Sequence, residues 1–198
     1  MITSNNIENL YLEALKNVLC NGYRDCSDPD IFVEMPLVLQ IQDTINIDLD
    51  ISLILPKLFL DYEEQLKNEI DYYTTTFNVL KGRVVSEIMA NPNSRKLYFN
   101  LWSENDNGLN VKSPCLVGVY FRVFENKLNM EVVMRANNAF RISLINLSIF
   151  ISFFKEVAQL LNLDSGAYIH FAASYHIYKK DLSDMINNNY LISKNITI

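Results

Sequence analysis

The stretch "SPCLVGVYFRVFENKLNMEVVMRANNAF", residues 113–140, decides the fold of this chain. Two apolar runs rich in β-branched and aromatic residues, "CLVGVYFRVF" (115–124) and "KLNMEVVMRA" (127–136), meet at Glu125–Asn126–Lys127. They read as an antiparallel hairpin. Cys115 stands directly behind a proline at the open end, and Arg135 ends the returning strand. The hairpin therefore carries a thiol and a cation to the same end. A cationic neighbour lowers a thiol pKa and also offers an anion clamp. The bland alternatives are a core cysteine that only packs and a strand-end arginine that is only solvated.

Outward from the hairpin the pattern is α+β. "ISLINLSIFISFFKEVAQLL" (142–161) is apolar nearly all round, which predicts a long buried helix. "AYIHFAASYHIY" (167–178) follows as a strand, and "KLYFNLW" (96–102) precedes the hairpin as another. Near the N-terminus, Ile7, Leu10, Tyr11, Ala14, Leu15, Val18 and Leu19 keep helical spacing, with Ser4 as the expected cap and Gly22 as the stop. "YRDCSDPD" (23–30) reads as loop. "INIDLDISLIL" (45–55) alternates strictly and predicts a strand closed by Pro56. Residues 57–94 are helical in pattern until Pro92 forbids continuation. The Asn-rich tail from Asn187 is expected to be loose. The sum is one domain, residues 1–198, with a mainly antiparallel sheet backed by the 142–161 helix.

Composition excludes several classes. The chain has 198 residues, 49% hydrophobic and 20% charged, enough for one sizeable core. A net charge of −6 argues against broad nucleic-acid or anionic-membrane binding while leaving room for a local cationic pocket. Cys20, Cys26 and Cys115 cannot all pair, and only His170 and His176 could join them as soft ligands, so no metal site is expected. The polar N-terminus shows no signal pattern, and the most apolar run is short for a membrane span. A soluble cytoplasmic protein is the expectation.

Weaker signals flank the hairpin. "SRK" (94–96) puts Arg95 and Lys96 at a strand entrance, ordinarily a solvated rim. His176 and Tyr178 alternate onto one face of the last strand, where a hydrogen-bonded core histidine is the ordinary reading.

From "NPNSRK" (91–96) onward these features fall into one register. Trp102, "PCL" (114–116), "RANN" (135–138), Asn146 and "HIY" (176–178) resemble the thymidylate synthase and pyrimidine-nucleotide hydroxymethylase superfamily. That family shows "PxSRR", a tryptophan, "PCH", an arginine–serine–x–aspartate motif, an asparagine and "HxY". The resemblance is best over 91–182, and "NIENLYLEALKNVLCNG" (6–22) suits the family's opening helix. It implies that Cys115 is the nucleophile that adds to carbon 6 of a pyrimidine nucleoside monophosphate. It implies phosphate binding by Arg135, and by Arg95 and Lys96 across the interface of a homodimer. Asn146 would bond the base edge, pointing to uracil over cytosine, while His176 and Tyr178 would contact the ribose. Asn138 falls among the nucleotide- and pterin-facing positions.

The departures lie mostly on the other half of the site. Leu116 replaces the histidine, Ala136 the serine, Asn138 the aspartate, and Ile142 and Leu144 a glycine and a proline. Glu63 and Glu64 are the nearby substitutes for the general-acid glutamate, and Arg24 is out of step with a phosphate-loop arginine. The family's folate-covering C-terminal segment is expected to be missing. The cofactor implied, 5,10-methylenetetrahydrofolate, therefore meets an incomplete site. Two functions follow: a carbon-5 methyl- or hydroxymethyltransferase working through Cys115, or a degenerate nucleotide-binding or partner-binding protein, including a subunit of a heteromer, on the same scaffold.

Overall fold

The hairpin forms as the alternation requires. β4 (Leu116–Phe124) and β5 (Lys127–Asn138) pair antiparallel with Phe124 opposite Lys127. The turn is two residues, Glu125 and Asn126, both at positive φ (49° and 61°), as the hairpin turn that matches strand twist demands. These coordinates are a computed structural model that describes residues 1–26, 28–49, 63–103 and 113–196.

The remaining elements are β1 (Ile2–Thr3), α1 (Ile7–Asn21), β2 (Ile31–Ile41), α2 (Glu63–Ala90), β3 (Tyr98–Asn100), α3 (Ser143–Leu160), β6 (Asp164–Tyr178), α4 (Lys179–Asn187) and α5 (Tyr190–Ser193). One six-stranded sheet runs in the order β1-β2-β6-β5-β4-β3. It is mixed: β5 pairs with β6, and β1 with β2, in parallel, while the other three neighbouring pairs are antiparallel, so the sheet stays mainly antiparallel. A parallel neighbour needs a crossover, which α3 supplies between β5 and β6 and α1 between β1 and β2.

The seven apolar positions read on α1 are all buried. Its cap is Asn6, whose side chain accepts the Asn9 N–H at 2.8 Å, while Ser4 Oγ accepts from Asn6 one step outside. Gly22 ends the helix for reasons of space. A Cβ there would lie 2.5 Å from Val33 Cγ2 and 2.6 Å from the Val18 carbonyl.

Two expectations change. The second strand of the sheet is β2, in a region the sequence did not mark. Its Pro36 sits where the register with β6 shifts, between Met35 and Leu37, which is where a strand tolerates proline. Residues 45–49 are turn and loop instead of strand. The carbonyls of Ile45 and Ile47 accept Lys155 Nζ, and that of Leu49 accepts Ser148 Oγ, so the segment lies along α3 instead of pairing. Residues 50–55 of that predicted strand, and 57–62 of the predicted helix, lie outside the described residues.

α3 packs on β5, β6, α1 and α2. Its first five residues are all buried, and exposed positions appear only in its second half, at Ser152, Glu156, Gln159 and Leu160. Phe153 stacks on Phe77 of α2 at 4.2 Å, and Phe150 meets Tyr73 edge-on at 4.9 Å. By length and composition α3 is the one helix among the described residues that could cross a membrane, and here its apolar side chains fill the core. The tail is docked rather than loose. Tyr190, Leu191 and Ile196 are buried, and Tyr190 packs on Phe140 at 5.2 Å. Its asparagines make the turns: Asn189 and Asn195 hold positive φ, which asparagine tolerates better than most residues.

Candidate functional site

Cys115 and Arg135 meet at the open end of the hairpin. The Arg135 backbone N–H donates to the Cys115 carbonyl at 2.9 Å. Its Nε donates to the Pro114 carbonyl at 3.1 Å and its Nη2 to that of Ser113 at 2.8 Å. Trp102 Nε1 donates to Pro114 as well, so the 113–115 strap is held from two sides. Arg135 is otherwise exposed, which leaves the rest of its donor fork open to an anion. The half-buried Cys115 thiol is pushed up in pKa: burial acts first, the charge of Glu69 adds to it, and Arg135 only partly opposes them. The thiol is therefore neutral near pH 7.

From β6, His176 and Tyr178 face the same region with their rings edge-on at 4.8 Å. Burial pushes the Tyr178 hydroxyl up, with Asp28 and Cys115 adding and Arg135 opposing, so its field is shared with Cys115 and Arg135. His176 is held below its usual range by burial, against a bond to the Ser174 carbonyl and the charges of Glu34, Asp181 and Asp28. A cleft of about 430 Å³ beside Tyr178 is lined also by Asp30, Asn138, Arg141, Lys179 and Asp181.

α2 contributes two residues the sequence reading missed. Burial raises the carboxyl of Glu69, with a bond from Tyr73 opposing. The Tyr73 hydroxyl is raised by burial, then by Glu69 and Cys115. Glu64 lies exposed in the first turn, and Glu69 is the glutamate whose charge reaches the thiol; the Glu63 side chain lies outside the described residues. The signal available was an i, i+4 pair, 69 and 73, on one helix face.

Asn138 and Asn146 differ in what they have left to offer. Asn138 Oδ1 accepts the N–H groups of Phe140 (3.0 Å) and Arg141 (2.8 Å), and its Nδ2 donates to Asp181 Oδ2 at 2.7 Å. That amide is a structural cap for the turn into α3. Asp181 is itself buried against Arg141, which also reaches Asp184 at 2.5 Å. Asn146 has 0% exposure; its Nδ2 donates to Asn137 Oδ1 at 3.3 Å, and its Oδ1 has no partner. An unsatisfied buried acceptor costs about 1–3 kcal/mol.

Arg95 and Lys96 are not brought to Cys115 within one chain. Both are exposed ahead of β3, and the Leu97 carbonyl accepts the Phe121 N–H, which sets Lys96 level with Arg122. Seven residues of β4 separate that level from Cys115, about 23 Å. Arg24 lies over the Phe32 ring at 4.4 Å and donates to Leu19. Among the described residues no group of three or more His, Cys, Asp and Glu side chains is placed to hold a metal ion.

The family model for thymidylate synthase matches residues 58–192, more than half of the chain. Thymidylate synthase of Aster yellows witches'-broom phytoplasma (strain AYWB) is 31% identical over 102 residues, covering 52% of this chain and 35% of that protein. The thymidylate synthases of Mycoplasma mobile and Mycoplasma genitalium are each 28% identical, over 101 and 103 residues, covering 51% and 52% of this chain and 35% and 36% of theirs. The matched stretch thus spans about a third of the length of these curated relatives.

Proposed function

The chain belongs to the thymidylate synthase family, and from that premise we propose that it binds a pyrimidine nucleoside monophosphate in the cytoplasm and activates carbon 5 through a Cys115 adduct. The observation that carries the reading is the juxtaposition of the Cys115 thiol with the Arg135 guanidinium at one hairpin end. Arg135 holds the phosphate, His176 and Tyr178 the ribose, and Asn146 the edge of a uracil-type base.

The chemistry follows from the thiol. Sulfur adds to carbon 6 as its proton leaves, and the ring electrons move to carbon 5 and the adjoining carbonyl oxygen. Glu69, whose charge reaches the thiol and which Tyr73 hydrogen-bonds, is the group that takes and returns that proton. Carbon 5 is then a nucleophile.

Methylenetetrahydrofolate does not fit the residues at Asn138. An acceptor for the pterin's donors is needed there, and Asn138 Oδ1 already takes two backbone N–H groups while Asp181 is engaged with Arg141 and Asn138.

The test uses carbon 5 alone. In deuterium oxide, adduct formation, deuteration at carbon 5 and elimination exchange the C5 hydrogen, read by proton NMR on uridine, deoxyuridine and cytidine monophosphates. Exchange by the wild type and none by Cys115→Ala is the expected result. Exchange that survives Cys115→Ala sinks the adduct.

The second reading, a nucleotide-binding protein without chemistry, is favoured by the raised thiol pKa and by the engaged amide of Asn138. It predicts nucleotide binding with no exchange at any pH.

A twofold dimer is part of the first reading. On the sheet face away from α3, Tyr120, Val133, Ile169 and Phe171 are only half-buried, a surface suited to a second copy or a related subunit. Such a dimer is the route by which Arg95 and Lys96 would reach a phosphate.

A further inference from the structure

α2 turns Tyr73, Phe77, Leu80 and Val84 to the core and carries a second pattern on its outer side. Tyr72, Thr75, Val79, Gly82, Ser86 and Met89 follow one another at steps of three and four residues, and all six are exposed. None of them is charged, on a helix whose other exposed positions include Glu64, Lys67, Asp71 and Arg83. Tyr72, Val79 and Met89 are 44%, 80% and 72% exposed, and sharing one stripe makes them a patch rather than scattered surface residues. An unbroken three–four repeat is the seam along which two helices pack.

The face is also hollow. Tyr72, Thr75, Val79 and Arg83 form one wall of a cavity of about 790 Å³, and Asn100 and Leu101 at the end of β3 form the other. Gly82 adds a gap: among the described residues nothing lies within 4 Å of where its Cβ would be. A glycine inside a helix weakens it, and no crowding from the described residues requires one there. Its bare backbone lets another helix come close.

Side-chain size along the seam selects the occupant. A second α2 can lie antiparallel on the first, about a twofold axis between Thr75 and Val79. Tyr72 then stands opposite the partner's Gly82, and Thr75 opposite the partner's Val79, so each layer joins a larger side chain to a smaller one. A parallel pair would stack Tyr72 on itself and leave a void at Gly82. Charge agrees with the antiparallel pair. On its flanks Arg83 comes nearly level with the partner's Glu69, and Asp71 with the partner's Val85. Opposite charges meet there and like charges do not.

We propose that the outer face of α2 is a contact between two copies of this chain, packed antiparallel with Tyr72 over the partner's Gly82. α2 packs on α3, on the other side of the sheet from the half-buried Tyr120, Val133, Ile169 and Phe171. The α2 contact is therefore separate from the sheet-face dimer, and one chain can make both.

The experiment is oxidative cross-linking of Tyr72→Cys and Gly82→Cys proteins, each alone and as an equal mixture, beside the wild type with its three native cysteines. A disulfide needs Cα atoms within about 7 Å. The antiparallel seam meets that limit in the mixture, whereas each variant alone sets its two new cysteines about 15 Å apart along the helix axis. Cross-linked dimer is expected in the mixture at several times the wild-type background, with peptide mass joining position 72 to position 82. Neither variant alone should exceed that background. Self-linking of either variant means a parallel pair or another register and overturns the proposal, as does a mixture no different from the wild type. Val79→Glu checks the contact without a new thiol, because position 79 is exposed and leaves the core face of α2 intact. Sedimentation should show the mass of the largest species halved in Val79→Glu. An unchanged mass, or a wild type that stays monomeric at every concentration, overturns the contact. Neither readout depends on nucleotide binding.

Discussion

At Cys115 the opposing influences on one thiol decide what activity should look like. Burial and Glu69 raise its pKa and Arg135 only partly offsets them, so the reactive thiolate is scarce at neutral pH. A raised pKa means the proton leaves at higher pH than in a free cysteine. The C5-exchange rate should therefore climb steadily from pH 7 to beyond 9, and bound nucleotide phosphate, by adding negative charge, should not lower that limb. A rate already flat at pH 7 would mean that the thiol is ionised by something other than Arg135. The positions of Cys115, Arg135, His176 and Tyr178 were legible in the sequence because spacing along the hairpin and along β6 fixes where they end up. Glu69 and Tyr73 were not, because their roles come from which element packs on which. Nothing local in "EIDYY" says that its helix faces a thiol.

Between elements, the start of α3 carries the clearest trade. Asn138 caps the turn with its Oδ1 and gives an N–H to Asp181 through its Nδ2. Restoring an aspartate there keeps the cap but sets two carboxylates 2.7 Å apart with no hydrogen between them. Asn138→Asp should lose about 1–3 kcal/mol of stability at pH 7, seen as a lower melting temperature. Part of that should return as the pH falls and the two carboxylates come to share a proton. An Asn138→Asp protein as stable as the wild type at pH 7 would show that Asp181 has another place to go. The same packing logic explains where reading by period failed. The alternation at 45–49 is answered by Lys155 and Ser148 of α3 rather than by a strand, and β2 hid behind Pro36. The parity of β6 also changes: Tyr168, His170 and Ala172 are buried, then Tyr175 and Ile177. Near that change the β2 register shifts, and His176 and Tyr178 turn toward the site on the opposite face from His170. Gly118 is likewise set by a neighbour, since a Cβ there would meet Tyr98 Oη at 2.5 Å.

For the whole molecule, the separation of Arg95 and Lys96 from Cys115 makes a dimer the condition of a complete phosphate clamp. Along β4 they lie about 23 Å from the thiol, too far for any side chain to span within one chain. If two copies pack their sheets about a twofold axis, each site combines Cys115 and Arg135 of one protomer with the two cations of its partner. Cys115→Ala protein and an Arg95→Ala/Lys96→Ala double variant should each fail in C5 exchange. Mixed after mild dissociation and reassembly, they should regain activity. Half of the randomly paired dimers are mixed, and in each of those one of the two sites has an intact cysteine and intact cations. The expected recovery is about a quarter of the wild-type rate. Recovery requires that the cations act in trans; were they to act within their own chain, every site in every mixture would stay defective. A monomer by light scattering at micromolar concentration, with full exchange activity, would remove both the dimer and the trans clamp and leave Arg135 as the phosphate anchor.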